Sequence, residues 1–426
     1  MFSQNGLSLD QAPPISVVFR FFLSGALFGI LAGILILFFQ TVIFDAHSMK
    51  AVILTHTLTL GVMLSFMFAA LFQMLPVIAG VTLTSPVKKA NLVQYPFVLG
   101  VTALLLAFNF SSPWLFTVAS LLLGGSILFI TIIMLSNLVK LPNQSSSSRG
   151  MLTALASLAI VVLLALYMTG TLSGLFEGSY YTQIKTAHYS FGLFGWIALL
   201  IISISFQVIE MFYVTPSYPK LVSKYLPLTL LTLLVITTIT GLFNPNIWAV
   251  SNTLLALLLI GYALLTLKRL TQRKRPLTDA TVWFWRLGLS SLILSMLILV
   301  MTNFTELSWV KSSTYLFFAF FALSIVFAMF YKIVPFLTWF HLNSQGYFTA
   351  PMMHEVIHPK TAMKHLYIHL VTLVTFILSL FINLFIFLAG VLTILSFGWM
   401  AWQIIHAWRL YKHTQETGEK FEMNIA

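Results

Sequence analysis

Three observations predict an all-α polytopic membrane protein with 12 transmembrane helices, arranged as three pseudo-threefold-related four-helix repeats. First, 59% of the 426 residues are hydrophobic, only 8% are charged and the mean hydropathy is +0.97. A soluble chain must cover most of its outside with charge, so this composition belongs in lipid. Second, many apolar runs exceed the roughly 18 residues needed to cross a bilayer core. Third, one stretch recurs. Lys50 to Pro76 carries His56 and closes on Phe72-Gln73-Met74-Leu75-Pro76. Lys185 to Glu210 carries His188 and closes on Phe206-Gln207-Val208-Ile209-Glu210. Lys311 to Pro335 closes on Tyr331-Lys332-Ile333-Val334-Pro335, with Ser313, Thr314 and Tyr315 where a histidine would stand. An acid precedes each copy: Asp45, Glu177 and Glu306. These read as the second helices of three repeats, the long-period pattern to look for before assigning a fold.

Taken in order, the twelve spans fall at roughly 16–43, 51–81, 93–110, 113–141, 150–176, 183–214, 221–243, 246–269, 279–302, 312–342, 363–388 and 389–414. Phe110-Ser111-Ser112-Pro113 and Asn244-Pro245-Asn246 are tight turns. Asn143 to Ser148 is a polar linker, and Gln272-Arg273-Lys274-Arg275-Pro276 is a basic one. Each follows a fourth helix, which sets repeat one at 1–148, repeat two at 149–277 and repeat three, with a short tail, at 278–426. The first fifteen residues are polar and lack a basic n-region, so no cleaved signal peptide is expected. The chain has no cysteine, which removes disulfides, thiolate ligands and iron–sulfur clusters.

The formal charge of +12 could be read as an affinity for nucleic acid. In a polytopic chain it reads instead as basic loops beside anionic lipid, so the bilayer is the partner and nucleic acid is not. Of the 22 Lys and Arg, 17 fall on the side of the two termini. Lys50, Lys185 and Lys311 fall on the other side, and Arg286 and Lys332 fall inside spans. This asymmetry predicts a cytoplasmic (inner) membrane protein with both termini cytoplasmic. His56 and His188 then lie in the outer part of their spans. Gln73, Gln207 and Lys332 lie ~26–28 Å further in at the helical rise.

Ionisable groups inside a membrane are costly and point to function. A neutral imidazole ligates heme iron and copper, and His56 and His188 stand at one depth on equivalent helices. The alternative is a buried histidine that hydrogen-bonds a neighbouring helix. Glu210 and Lys332 occupy nearly equivalent positions with opposite charge. They read either as a structural pair or snorkelling groups, or as a proton or ion path together with Gln73 and Gln207. Arg286 is expected to snorkel. His341, His354, His358, His365, His369, His406 and His413 crowd the inner side of the last repeat, and His365 and His369 share one helical face. Met352 and Met353 beside His354 suit copper, but the sequence favours an interfacial segment whose histidines are wet. Walker, Rossmann, nucleophile-elbow and HExxH patterns are absent.

Twelve spans in three four-helix repeats, with histidine on equivalent helices near the outer face, resemble subunit I of the heme–copper oxidases and the NnrS-type heme and copper membrane proteins. The string Ala187-His188-Tyr189-Ser190-Phe191-Gly192-Leu193-Phe194-Gly195-Trp196 carries the most local likeness. The resemblance implies that His56 takes the place of a low-spin heme ligand and His188 that of a copper ligand. It implies heme b and copper as cofactors, with His341 and His369 as weaker ligands. It also implies respiratory or metal-handling membrane subunits as partners. The departures exclude a complete terminal oxidase. The tenth span has only His341, at the wrong end; the seventh has no histidine; Gly192 stands four residues after His188. The expectation is a heme- or copper-binding membrane protein for redox chemistry, metal handling or nitric oxide protection. The alternatives are a secondary transporter working through Glu210 and Lys332, and a cofactor-free assembly subunit of a respiratory complex.

Overall fold

The computed structural model describes residues 12–81, 83–243, 245–275, 278–305 and 307–420. It is 84% helix, with no strand among the described residues. Twelve helices are long and apolar enough to cross a membrane: α1 (Ile15–Phe44), α2 (Met49–Ala79), α3 (Pro86–Phe110), α4 (Pro113–Val139), α5 (Ser146–Leu172), α6 (Tyr181–Tyr213), α7 (Lys220–Gly241), α8 (Ile247–Thr271), α9 (Ala280–Met301), α10 (Ser308–Ser344), α11 (Pro359–Ser379) and α12 (Leu384–Thr417). The protein is therefore a multi-pass membrane protein. The N-terminal eleven residues, Asn244, Pro276 and Glu306, on which the signal-peptide, turn, linker and acid readings partly rest, lie outside the described residues.

Burial divides the spans into two classes. In α2, α6 and α10 the most apolar windows are 83%, 78% and 72% buried, against 28–50% in the other nine. Every fourth span is thus an inner one, clad by outer spans that show one side to lipid. The three inner helices meet around a small apolar cavity of about 70 Å³, lined by Met67 and Met74 of α2, Ile201 and Ile204 of α6, and Ile325 and Met329 of α10. Apart from the Trp285 indole, the side chains that line it are apolar.

The first and last spans pack on each other. Gly25, Gly29 and Gly33 stripe one face of α1. A Cβ at Gly33 would lie 2.8 Å from the Ile394 amide nitrogen and 2.9 Å from the Gly390 carbonyl of α12. Small residues at a four-residue spacing let two backbones approach in lipid, where packing rather than the hydrophobic effect holds helices together. Both described ends of the chain lie at one end of the bundle, where Ala12 and Gln415 line a common cleft. We call this the basic end.

Two boundaries correct the sequence reading. α3 begins at Pro86, seven residues before the expected start, because Pro at the first turn presets the helix and Lys88 and Lys89 ride on it. Hydropathy reads the membrane, not the helix. The last turn falls at Leu380–Asn383 rather than at 388/389. The run there is apolar throughout, with Asn383 as its one polar residue, so composition barely marks the break.

Candidate functional site

α2 starts where the Ser48 hydroxyl accepts the Lys50 amide at 3.1 Å. It runs as an α-helix to His56, widens to a π-helix over Thr57–Leu64 and returns to α-helix at Ser65. At the start of the widening, Thr57 Oγ1 donates to the Ile53 carbonyl at 2.9 Å, and Thr59 Oγ1 donates to the Thr55 carbonyl at 2.8 Å. α6 does the same at the same place: α-helix over Tyr181–Ser190, then π-helix over Phe191–Ala198 with Gly192 and Gly195 inside it. A third π stretch, Ser120–Gly124, interrupts α4. α10, which has no histidine at this level, runs unbroken. Wide turns of this kind are frequent at functional sites.

His56 and His188 stand at the mouths of the first two wide turns and face each other. Their ring centroids are 6.3 Å apart, with 15° between the planes. His56 Nδ1–H donates to the Val52 carbonyl of its own helix at 2.8 Å, and His188 Nδ1–H donates to the Val161 carbonyl of α5 at 3.2 Å. A carbonyl can only accept, so both rings are fixed in the tautomer that leaves the Nε2 lone pair free. Phe108 of α3 backs His56 at 5.1 Å, and Phe116 of α4 backs Phe108 at 5.2 Å. Both histidines are half-buried. Whether the two rings approach one another was open in the sequence, and so were the carbonyls that orient them.

The other sequence candidates are placed elsewhere. Lys332 Nζ forms an ion pair with Asp279 Oδ2 at 2.6 Å and lies 5.5 Å over the Tyr213 ring. Asp279 also caps α9, accepting from the Thr281 hydroxyl at 2.6 Å and the Val282 amide at 3.2 Å. Burial pushes the Asp279 carboxyl up, but the Lys332 ammonium and these donors outweigh it and hold the group below the usual carboxylate range. Glu210 accepts the Tyr218 amide at 2.9 Å and so pins the loop after α6. Gln73 is buried with its Oε1 unbonded, and Gln207 is half-buried. Arg286 lies over the Trp283 ring at 4.7 Å.

The inner-side histidines differ in exposure, and two of them are not wet as expected. His354, His358, His406 and His413 are exposed. His365 and His369 are 0% and 2% exposed, because the face of α11 that carries them packs inward against α9, α10 and α12. His365 uses both ring nitrogens, with the Tyr331 hydroxyl at 2.9 Å and the Ser396 hydroxyl at 2.6 Å. His369 Nε2 meets the Ser324 hydroxyl at 2.8 Å. His341 lines the cleft at the basic end with its Nε2 buried and unbonded. Among the described residues, no group of three or more His, Asp or Glu is arranged to hold a metal ion. His341 and His369 therefore join no such group, and any metal at the facing pair has two imidazoles as its histidine ligands. No family model and no curated protein matches this chain.

Proposed function

We propose that the protein is a heme- or copper-binding membrane protein whose metal is held by His56 and His188. The observation that carries this reading is the facing pair itself. Two neutral imidazoles, each oriented through Nδ1 by a backbone carbonyl, keep their Nε2 atoms for a ligand. Orientation by a second hydrogen bond is the usual arrangement for a metal-binding histidine. With the ring centroids 6.3 Å apart, both imidazoles would border one bound group. Heme iron or copper there would supply one-electron chemistry that this cysteine-free chain has no thiol to offer.

The rest of the reading follows the same line. The three-repeat plan is supported by the inner position of every fourth span and by the matching wide turns of α2 and α6. The charge asymmetry supports a cytoplasmic (inner) membrane location with the basic end inside. Redox chemistry, metal handling or nitric oxide protection, alone or with respiratory or metal-handling subunits, are the roles such a site serves. The transporter reading has less support. Glu210 and Lys332 each have a structural partner, and the centre between the inner helices is apolar.

The test is one absorbance scan and one metal assay on purified protein. A Soret band identifies heme, and stoichiometric copper without it identifies a copper site. His56→Ala and His188→Ala each lose the bound group. Wild-type metal and heme content in the double variant would end the proposal.

A further inference from the structure

The cleft at the basic end is left unused by the histidine pair. It encloses about 460 Å³, a volume in the range of small-ligand sites. Three helix ends build it: the first turn of α1, the end of α10 at Gln345, and the last turns of α12. Trp408, Tyr411, Lys412 and Gln415 recur every three or four residues, so they form one face of α12. The Trp408 and Tyr411 rings stack, with centroids 5.7 Å apart and 22° between the planes, and make a flat wall. The Tyr347 hydroxyl donates to the Gln415 carbonyl at 3.0 Å, which ties the end of α12 to the turn after α10. No Asp or Glu is among the described residues that line the cleft.

The side-chain hydrogen bonds in it run in one direction. An ammonium can only donate. Lys412 Nζ donates to Gln415 Oε1 at 3.3 Å, which settles which way that amide points. Gln415 Nε2 then donates to Gln345 Oε1 at 2.9 Å and to the Tyr411 hydroxyl oxygen at 3.1 Å. Gln345 Nε2 donates to the same oxygen at 2.8 Å. The Tyr411 oxygen thus accepts twice, and its own proton is unspent. No acceptor for it stands among the described residues. Tyr411 is 6% exposed, and a buried donor without an acceptor is costly. Lys412 has two further N–H bonds to give. The first turn of α1 adds to the excess, because it opens at Pro14 without a side-chain cap. Uncapped amides at a helix N-terminus favour an anion.

We propose that this cleft binds a phosphate group, independently of the histidine pair, with the Tyr411 hydroxyl and the Lys412 ammonium as donors and the N-terminus of α1 beside them. A phosphate has several acceptor oxygens, so one group serves a hydroxyl, an ammonium and helix amides together. The cleft is larger than a phosphate alone, so the ligand carries a substituent, which lies along the Trp408–Tyr411 wall. Two sources share this chemistry. One is the headgroup of an anionic phospholipid, which basic groups at a membrane surface attract. The other is a soluble phosphate ester.

The test is the thermal midpoint of the purified full-length protein in neutral detergent, titrated with two probes. These are inorganic phosphate, set against chloride at equal ionic strength, and phosphatidylglycerol added to the micelles. A ligand that binds the native state raises the midpoint in proportion to its affinity. A rise with inorganic phosphate assigns the site to a soluble ester, and a rise with phosphatidylglycerol alone assigns it to a lipid headgroup. Tyr411→Phe removes one oxygen and keeps the ring wall, and Lys412→Gln removes the charge. Each should weaken the effective probe by about tenfold or more, the weight of one hydrogen bond to a charged group. Lys224→Gln, at an exposed lysine outside the cleft, should leave the response unchanged. If Tyr411→Phe does not fold, Lys412→Gln decides. No rise with either probe, a wild-type response in the cleft variants, or an equal loss in Lys224→Gln overturns the site.

Discussion

At the scale of single residues, the same side chain does different work according to what accepts its hydrogen bond. Four histidines of this chain lie inside spans with bonded rings. Two are locked by carbonyls and two are bonded by hydroxyls, His365 on both nitrogens and His369 on one. Asp279 shows the same dependence on partners, because it serves as helix cap and counter-ion at once. Asn caps a helix about as well as Asp, so Asp279→Asn isolates the ion pair. It leaves Lys332 charged within a span, and removing one partner of such a pair harms more than removing both. Asp279→Asn is therefore expected to lower the thermal midpoint in detergent, and adding Lys332→Met should recover part of the loss. A double variant less stable than Asp279→Asn would contradict this account. The pH dependence has a definite sign. The native carboxyl titrates below its unfolded value of about 3.9, so its contribution is complete above that value and is lost as pH falls through the lower native one. Asp279→Asn should show a shallower acid limb than wild type. Lys332 was legible in the sequence as a charge needing a partner. Asp279 was not, because it sits 53 residues away in a loop whose approach to α10 only packing decides.

At the scale of elements, spans are easy to read and their irregularities are not. Twelve apolar runs announce twelve helices, yet nothing in Thr57–Leu64 or Phe191–Ala198 announces a wider turn, since hydropathy is blind to which carbonyl an amide chooses. Nor did apolar composition separate inner from outer helices: mean hydropathy is 2.1–2.2 in α2, α6 and α10 and 2.5 in α1 and α4. The glycine stripe of α1 is visible in the sequence, but its partner is not. It makes a clean comparison between two glycines. Gly33→Ala places a methyl against the α12 backbone and is expected to cost about 1–3 kcal/mol as overpacking. Gly398→Ala, on α12 with open space around its Cβ, should be neutral or gain up to about 1 kcal/mol in helix propensity. Equal thermal midpoints for the two variants in detergent would refute the close crossing.

At the scale of the molecule, the sequence reading carries the class and span number, while the arrangement of side chains at the site comes from packing. The matching depth of His56 and His188 was readable from their positions in two similar stretches. Their mutual approach depends on how α2 and α6 lean together at the core, which no local pattern encodes. Orientation is testable without interference, because the chain has no cysteine of its own. Asn143→Cys and Glu177→Cys place single thiols on exposed loops at opposite ends of α5. A membrane-impermeant maleimide should label Glu177→Cys in intact cells and Asn143→Cys only in inverted vesicles. The reverse pattern would invert the assignment of the basic end.

The contact between α1 and α12 closes the bundle on itself, because the first and last spans are neighbours and both described ends of the chain lie on the same side. A circularly permuted gene that joins Lys420 to Ala12 through a short flexible linker, and opens instead between Asn143 and Ser146, would still encode twelve crossings with every helix pointing as before. The order in which the spans are synthesised is thus separable from the architecture they reach.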